Sequence, residues 1–169
     1  MNTRILVSAV VLGLASVSAD AALYSRLGGQ AYYDDVLDIT WLADANYAYT
    51  SGFDGNGLQQ WGEANNYVAW LNTNNHLGSN TWRLPTIVDS GALGCQFTYN
   101  GTDCGYNVDL NTSEMAHLFY STLGNVGYYD TSGVATGCSV TTPLCLTNTG
   151  PFSNVDDYYY WSGTTYAQS

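Results

Sequence analysis

Four cysteines are the residues whose chemistry the spacing constrains most. Cys95 and Cys104 enclose Gln-Phe-Thr-Tyr-Asn-Gly-Thr-Asp, and Cys138 and Cys145 enclose Ser-Val-Thr-Thr-Pro-Leu. Neither spacing is the two-to-four-residue gap of a zinc knuckle. No basic side chain lies nearby in sequence to lower a thiol pKa, as a nucleophile needs. Disulfides are expected. Four cysteines allow three connectivities, and turn residues within each loop favour local pairing, worth about 2–3 kcal/mol per bridge.

Loop oxygens suggest a cation. Asp54-Gly-Asn56-Gly57 begins like a calcium loop, but an EF-hand would need an acid or amide at 58 and Glu at 65, where Leu58 and Asn65 stand. A site of another kind would draw on Asp54, Asn56, Asp103, Asp109 and Asp130, all of which surface solvation also explains. Calcium is the cofactor such oxygens would hold. Arg83 is either an anchor for a carboxylate ligand or half of an ion pair with Glu114 or Asp89; in a chain so rich in acids the ion pair is favoured. His76 and His117 are the only histidines, and His117, three residues after Glu114, suits a surface pair with it. The doublets Asp34-Asp35 and Asp156-Asp157 resemble paired glycosidase acids, yet strand neighbours point to opposite faces. No hydrolase elbow, zinc-protease motif or P-loop occurs. Enzyme activity is not expected.

The whole composition narrows the class further. The chain has 169 residues, 14 acids, three arginines and no lysine, for a net charge of −11. Phosphate and sulfate polymers need clustered cations, so nucleic acid is excluded as a partner. Aromatic residues at 14% and apolar residues at 46% point to a folded chain rather than an acidic tail. The first 21 residues read as a secretory signal: Arg4, an apolar run from Ile5 to Val17, then small residues that suit cleavage after Ala19 or Ala21. No later run is long enough to span a membrane. Residues 22–169 then form one domain, still at −11, exported to an oxidising compartment.

The elements that must position these residues follow from periodicity. Tyr33 to Leu42 alternates polar and apolar positions and reads as one strand. Gln60 to Asn72 reads as a helix, with Trp61, Ala64, Val68 and Leu71 as its inner stripe and Glu63 completing a capping box. Asn72 to Asn75 ends it. Trp82-Arg83-Leu84-Pro85-Thr86 is stiffened by Pro85. Asn111-Thr-Ser-Glu114 caps a second helix lined by Met115, Leu118, Phe119 and Thr122 and stopped by Gly124. Tyr158 to Tyr166 reads as a closing strand. Trp61, Trp82 and Trp161 are expected in the core. The fold class is α+β.

The order of Leu58–Ala64, Trp82–Thr86, Ser113–Leu118 and Tyr160-Trp161-Ser162-Gly163-Thr164 resembles the Lcl C-terminal domain family, long catalogued as a domain of unknown function. Ala22–Gly29 and Tyr33–Trp41 resemble a branch of exported Gram-negative proteins with PEP-CTERM sorting tails. The resemblance covers nearly all of residues 22–169. It implies a C-type lectin-like or formylglycine-generating-enzyme-like fold: two helices packed on a small, mostly antiparallel twisted sheet, with long disulfide-tied loops. The stretch holding Cys95 and Cys104 is then an insertion. Family members continue past Trp-Ser-Gly-Thr through a further strand or two and a sorting tail, so the chain is expected to lack its last strand. An exosortase is a partner only where such a tail follows.

The function implied is adhesion or binding at the cell surface or in matrix, toward a glycan or a surface protein. The glycosaminoglycan binding of the family's namesake does not carry over, because −11 is the wrong sign for a sulfated ligand. A matrix protein without a discrete ligand site is the second reading. A degenerate formylglycine-type oxidase is the third; it would bind copper and keep a reactive thiol.

Overall fold

A computed structural model of the chain describes residues 22–99, 101–138, 145–156 and 159–164. The proposed signal segment, and Asp157, Tyr158, Thr165 and Tyr166 of the doublet and closing strand, lie outside these residues. Three short strands form an antiparallel meander: β1 (Leu23–Arg26), β2 (Ala31–Asp34) and β3 (Ile39–Leu42), in that order. The register sets Leu23 against Asp34, and Asp34 against Ile39. The molecule is α+β with a small antiparallel sheet. β1 has no counterpart among the strands that periodicity suggests.

The single strand expected over Tyr33–Leu42 is instead a hairpin. Asp34 is fully buried, and its Oδ1 accepts from the N–H groups of Val36 and Leu37, both at 3.1 Å. Asp38 then takes a left-handed φ of 53° and accepts a 2.8 Å bond from the Tyr33 hydroxyl. A local side-chain bond to backbone thus competes with extended pairing and wins. The polar–apolar alternation continued across the bend and concealed it.

Four-residue helix α1 (Tyr47–Thr50) precedes α2 (Trp61–Thr73). At the start of α2, the Gln60 N–H donates to Glu63 Oε2 at 2.7 Å, one arm of the expected box. Ala64 and Leu71 are buried, while Trp61 at the first turn is 37% exposed, so the stripe reaches the surface at its N-terminal end. The Asn run ends the helix, with Asn75 left-handed at φ 48°. The second helix starts as α3 (Glu114–Ala116), capped by Ser113 Oγ, which accepts from Ala116 N at 3.2 Å. It then widens into a π-helix over His117–Thr122. The wider turn lets Thr122 reach the sheet, where its hydroxyl donates to Asp34 Oδ2 at 3.2 Å. Gly124, at φ 67°, follows the end.

Residues 159–164 form no strand, against expectation. Side chains hold them instead: Trp161 Nε1 donates to Gln59 O at 2.6 Å, and Trp61 Nε1 to Ser162 O at 3.0 Å. Gly163 N donates to Pro85 O at 2.8 Å. A segment held by the ring nitrogens of Trp161 and of Trp61 opposite it needs no ladder partner, which is why β propensity misled here. Upstream, Ser153 forms a parallel bridge with Asp44.

Both disulfides are local: Cys95–Cys104, with Cα atoms 4.5 Å apart, and Cys138–Cys145, with Cα atoms 5.0 Å apart. The first closes a loop in which Gln96 N donates to Cys104 O and Tyr106 N to Gln96 O. The buried core is built largely from small residues, Ala31, Ala48, Ala64 and Ala116, with Leu71, Val108 and Leu123. Larger side chains line a cleft between the sheet and α2, so the helices do not close tightly onto the sheet as expected.

Candidate functional site

Two hollows meet at the C-terminal end of β3. The larger is a cleft of about 2360 Å³, walled by β3 and by Val68 and Leu71 of α2, with Trp82, Leu84 and Leu118 farther along. It far exceeds the roughly 300–1,000 Å³ of a small-molecule pocket. The smaller, of about 230 Å³, is lined by Gln30, Asp44, Tyr47, His76, Leu77 and Ser153, among others.

The smaller hollow is framed by constrained backbone. Asp44 Oδ1 accepts from Asn46 N at 2.9 Å and its Oδ2 from Thr50 Oγ1 at 2.6 Å, which starts α1 and fixes Tyr47. Across the hollow, Asn75 and Leu77 have φ of 48° and 53°. A left-handed leucine costs on the order of 1–3 kcal/mol and persists only where its surroundings demand it, often at binding sites. The Tyr47 and His76 rings lie 4.6 Å apart, tilted by 33°, and Trp82 follows at 6.1 Å from His76. Trp82 Nε1 donates to His76 O at 2.9 Å. Burial lowers the His76 pKa below its ordinary 6.5, so the imidazole is neutral at pH 7, with one nitrogen to donate and one to accept. The hollow joins an aromatic ladder to amide, carboxylate and imidazole groups. That chemistry suits a small, uncharged, hydroxyl-rich ligand.

The Trp82–Thr86 segment is a brace. Asn72 grips the Trp82 backbone twice, accepting from its N–H at 2.8 Å and donating to its carbonyl at 2.9 Å. Arg83 forks onto Glu114, Nη1 to Oε2 at 2.7 Å and Nη2 to Oε1 at 2.6 Å. The Thr86 N–H adds a third bond to the same carboxylate at 2.7 Å. Burial works to raise the Glu114 pKa, but the bonds from Arg83 and Thr86 outweigh it and hold the carboxyl below its usual range. These contacts tie α2 to α3. Of the tryptophans expected in the core, Trp82 is half-buried, whereas Trp61 and Trp161 are exposed at 37% and 47%.

Each calcium candidate serves its own loop. Asp54 Oδ1 accepts from the N–H groups of Asn56 and Gly57, and Asn56 Oδ1 from Leu58 N. Asp109 Oδ1 accepts from Asn111, and Asp130 Oδ1 from Ser132 and Val134. Asp103 Oδ2 accepts from the Ser90 N–H and hydroxyl. Among the described residues no three His, Cys, Asp or Glu side chains gather as a metal site.

Glu114 is bound to Arg83, so His117 does not pair with it. Its Nδ1 instead lies 3.4 Å from Thr122 Oγ1, which extends a part-buried chain to Asp34. The acidic doublet splits: Asp34 turns inward, while Asp35 accepts from Ala22 N at 2.9 Å. Tyr47 has no place in the sequence reading, and Asp34 enters it only as half of an acidic doublet. The Asp44-x-Asn46 turn was the available signal for Tyr47.

Fold and hollow together define a small disulfide-bonded α+β domain with a ligand-sized polar–aromatic recess. In comparisons with protein-family models, curated proteins and solved structures, no match to this chain was found.

Proposed function

We propose that this chain is an exported, non-enzymatic binding module of the cell surface or extracellular matrix, and that the Tyr47–His76 hollow takes one ring of a neutral glycan. The hollow carries the reading: it is ring-sized, bears the tilted Tyr47 and His76 ring pair and offers uncharged and acidic hydrogen-bonding groups. Two disulfides fit an oxidising destination. Among the described residues no helix is long and apolar enough to cross a membrane. The charge of −11 selects against sulfated or phosphorylated glycans. The C-type lectin-like kinship suggested by the Trp82–Thr86 and Tyr160–Thr164 motifs agrees with a glycan ligand.

A glycan array run with and without a chelator tests this. Binding to neutral glycans in both conditions supports the reading, and loss on chelation adds calcium bridging. Silence in both removes the glycan and leaves the matrix-protein reading.

A further inference from the structure

Among the described residues, no strand pairs with the edge of β3 that faces the large cleft. Ala43 N donates to Gln30 O at 3.0 Å, and Trp41 stands opposite Tyr32 and Ile39 opposite Asp34. Antiparallel pairing alternates, so Ile39, Trp41 and Ala43 address β2 while Thr40 and Leu42 turn their N–H and C=O groups outward. Among the described residues no backbone group pairs with them there. Both residues line the cleft. One step on, the chain already pairs in parallel with another segment, Ser153 N to Ala43 O at 2.8 Å and Ala45 N to Ser153 O at 2.9 Å.

The cleft's walls point to the nature of an added strand. Val68, Leu71, Leu84 and Leu118 make them apolar. Around them lie Asp38, Asp44, Asp89, Asp103 and Asp156, whereas Arg83 is neutralised by Glu114 and Arg26 is stacked 4.1 Å from the Tyr33 ring centroid. The surroundings are therefore negative. Trp41 Nε1 and Tyr67 OH, on cleft-lining residues of β3 and α2, are buried without a hydrogen-bond partner.

We propose that the cleft binds an extended segment of a partner protein, alternating apolar and basic residues, which adds to β3 as a fourth strand. Backbone bonds to Thr40 and Leu42 supply affinity, the apolar side chains enter the cleft, and the basic ones meet the acidic surroundings. A second copy of this chain is disfavoured as the occupant, since both copies carry −11.

Amide exchange by NMR tests this with a synthetic ten-residue Val-Lys alternating peptide. In the free protein the Thr40 and Leu42 amides exchange rapidly; peptide at ten times its Kd slows both about tenfold. A Val-Glu peptide, and a Val-Lys peptide N-methylated at alternate residues, bind at least about tenfold more weakly, and salt weakens the Val-Lys complex. Thr40→Pro, which removes an outward N–H and none of the N–H groups that address β2, lowers affinity while β2–β3 amide protection persists. Should that variant unfold, Val68→Lys provides the same test by charge repulsion. Slow exchange of both amides without peptide, whether from this chain or from dimerisation seen by sedimentation, overturns the proposal. So does equal binding of the three peptides, or no saturable binding of the Val-Lys peptide.

Discussion

Asp34 joins the hairpin to the π-helix with three hydrogen bonds and no access to solvent. Asp34→Ala leaves two backbone donors and the Thr122 hydroxyl unsatisfied, and chemical denaturation should report a loss of about 2–4 kcal/mol. Asp34→Asn, which keeps the acceptor for Val36 and Leu37, should lose less than half of that. Glu114→Ala removes the fork to Arg83 and the bond to Thr86, for about 1–2 kcal/mol after allowing for the exposed Arg83 side. The Glu114 pKa is depressed, so its stabilisation is complete above the ordinary 4.5 and fades as pH falls through the lower folded value. His76 also has a depressed pKa; its neutral form favours the fold above pH 6.5, and that contribution is lost as pH falls from there toward the folded pKa. The wild-type melting temperature should therefore drop between pH 7 and 5 by more than that of His76→Asn. That Arg83 forms an ion pair was legible because cations are so scarce; of the two acids the sequence offered, Glu114 and Asp89, the partner is Glu114. Asp34 was not legible, because nothing in a two-residue period marks which acid turns inward.

Helices were legible where their ends carry signals. Glu63 answers the Gln60 N–H, and Ser113 caps α3; Ser113→Ala should cost about 1 kcal/mol by denaturation. The hairpin, the π-turn and the closing segment were not legible, since each depends on side-chain bonds that periodicity does not mark: Asp34 locally to Val36 and Leu37, Thr122 across to Asp34, Trp161 across to Gln59. The loop disulfides were foreshadowed by spacing and turn residues. Replacing Cys95 and Cys104 together by serine should lower stability by about 2–3 kcal/mol if loop entropy dominates. Thiol titration of the folded native chain should find no free thiol among these four cysteines, and a reactive thiol would revive the oxidase reading.

At the scale of the whole molecule, an acidic surface and a small-residue core leave aromatic side chains around two recesses rather than inside one packed centre. The α+β class could be read from the sequence; the small antiparallel sheet was implied only by the resemblance, and its three strands do not follow the strands that periodicity suggests. The recesses could not, because Tyr47, His76 and Trp82 converge only after α1, the turn at Asn75–Leu77 and the Asn72 clamp are in place. This convergence is proposed to hold a neutral glycan ring. Calorimetric titration with the neutral glycans that score on the array, into the native protein and into Tyr47→Ala, tests it most directly. Saturable binding by the native chain is expected, with at least about tenfold weaker binding by a folded Tyr47→Ala, corresponding to about 1.4 kcal/mol. Equal affinity of the two proteins, or no saturable binding to either, would contradict it.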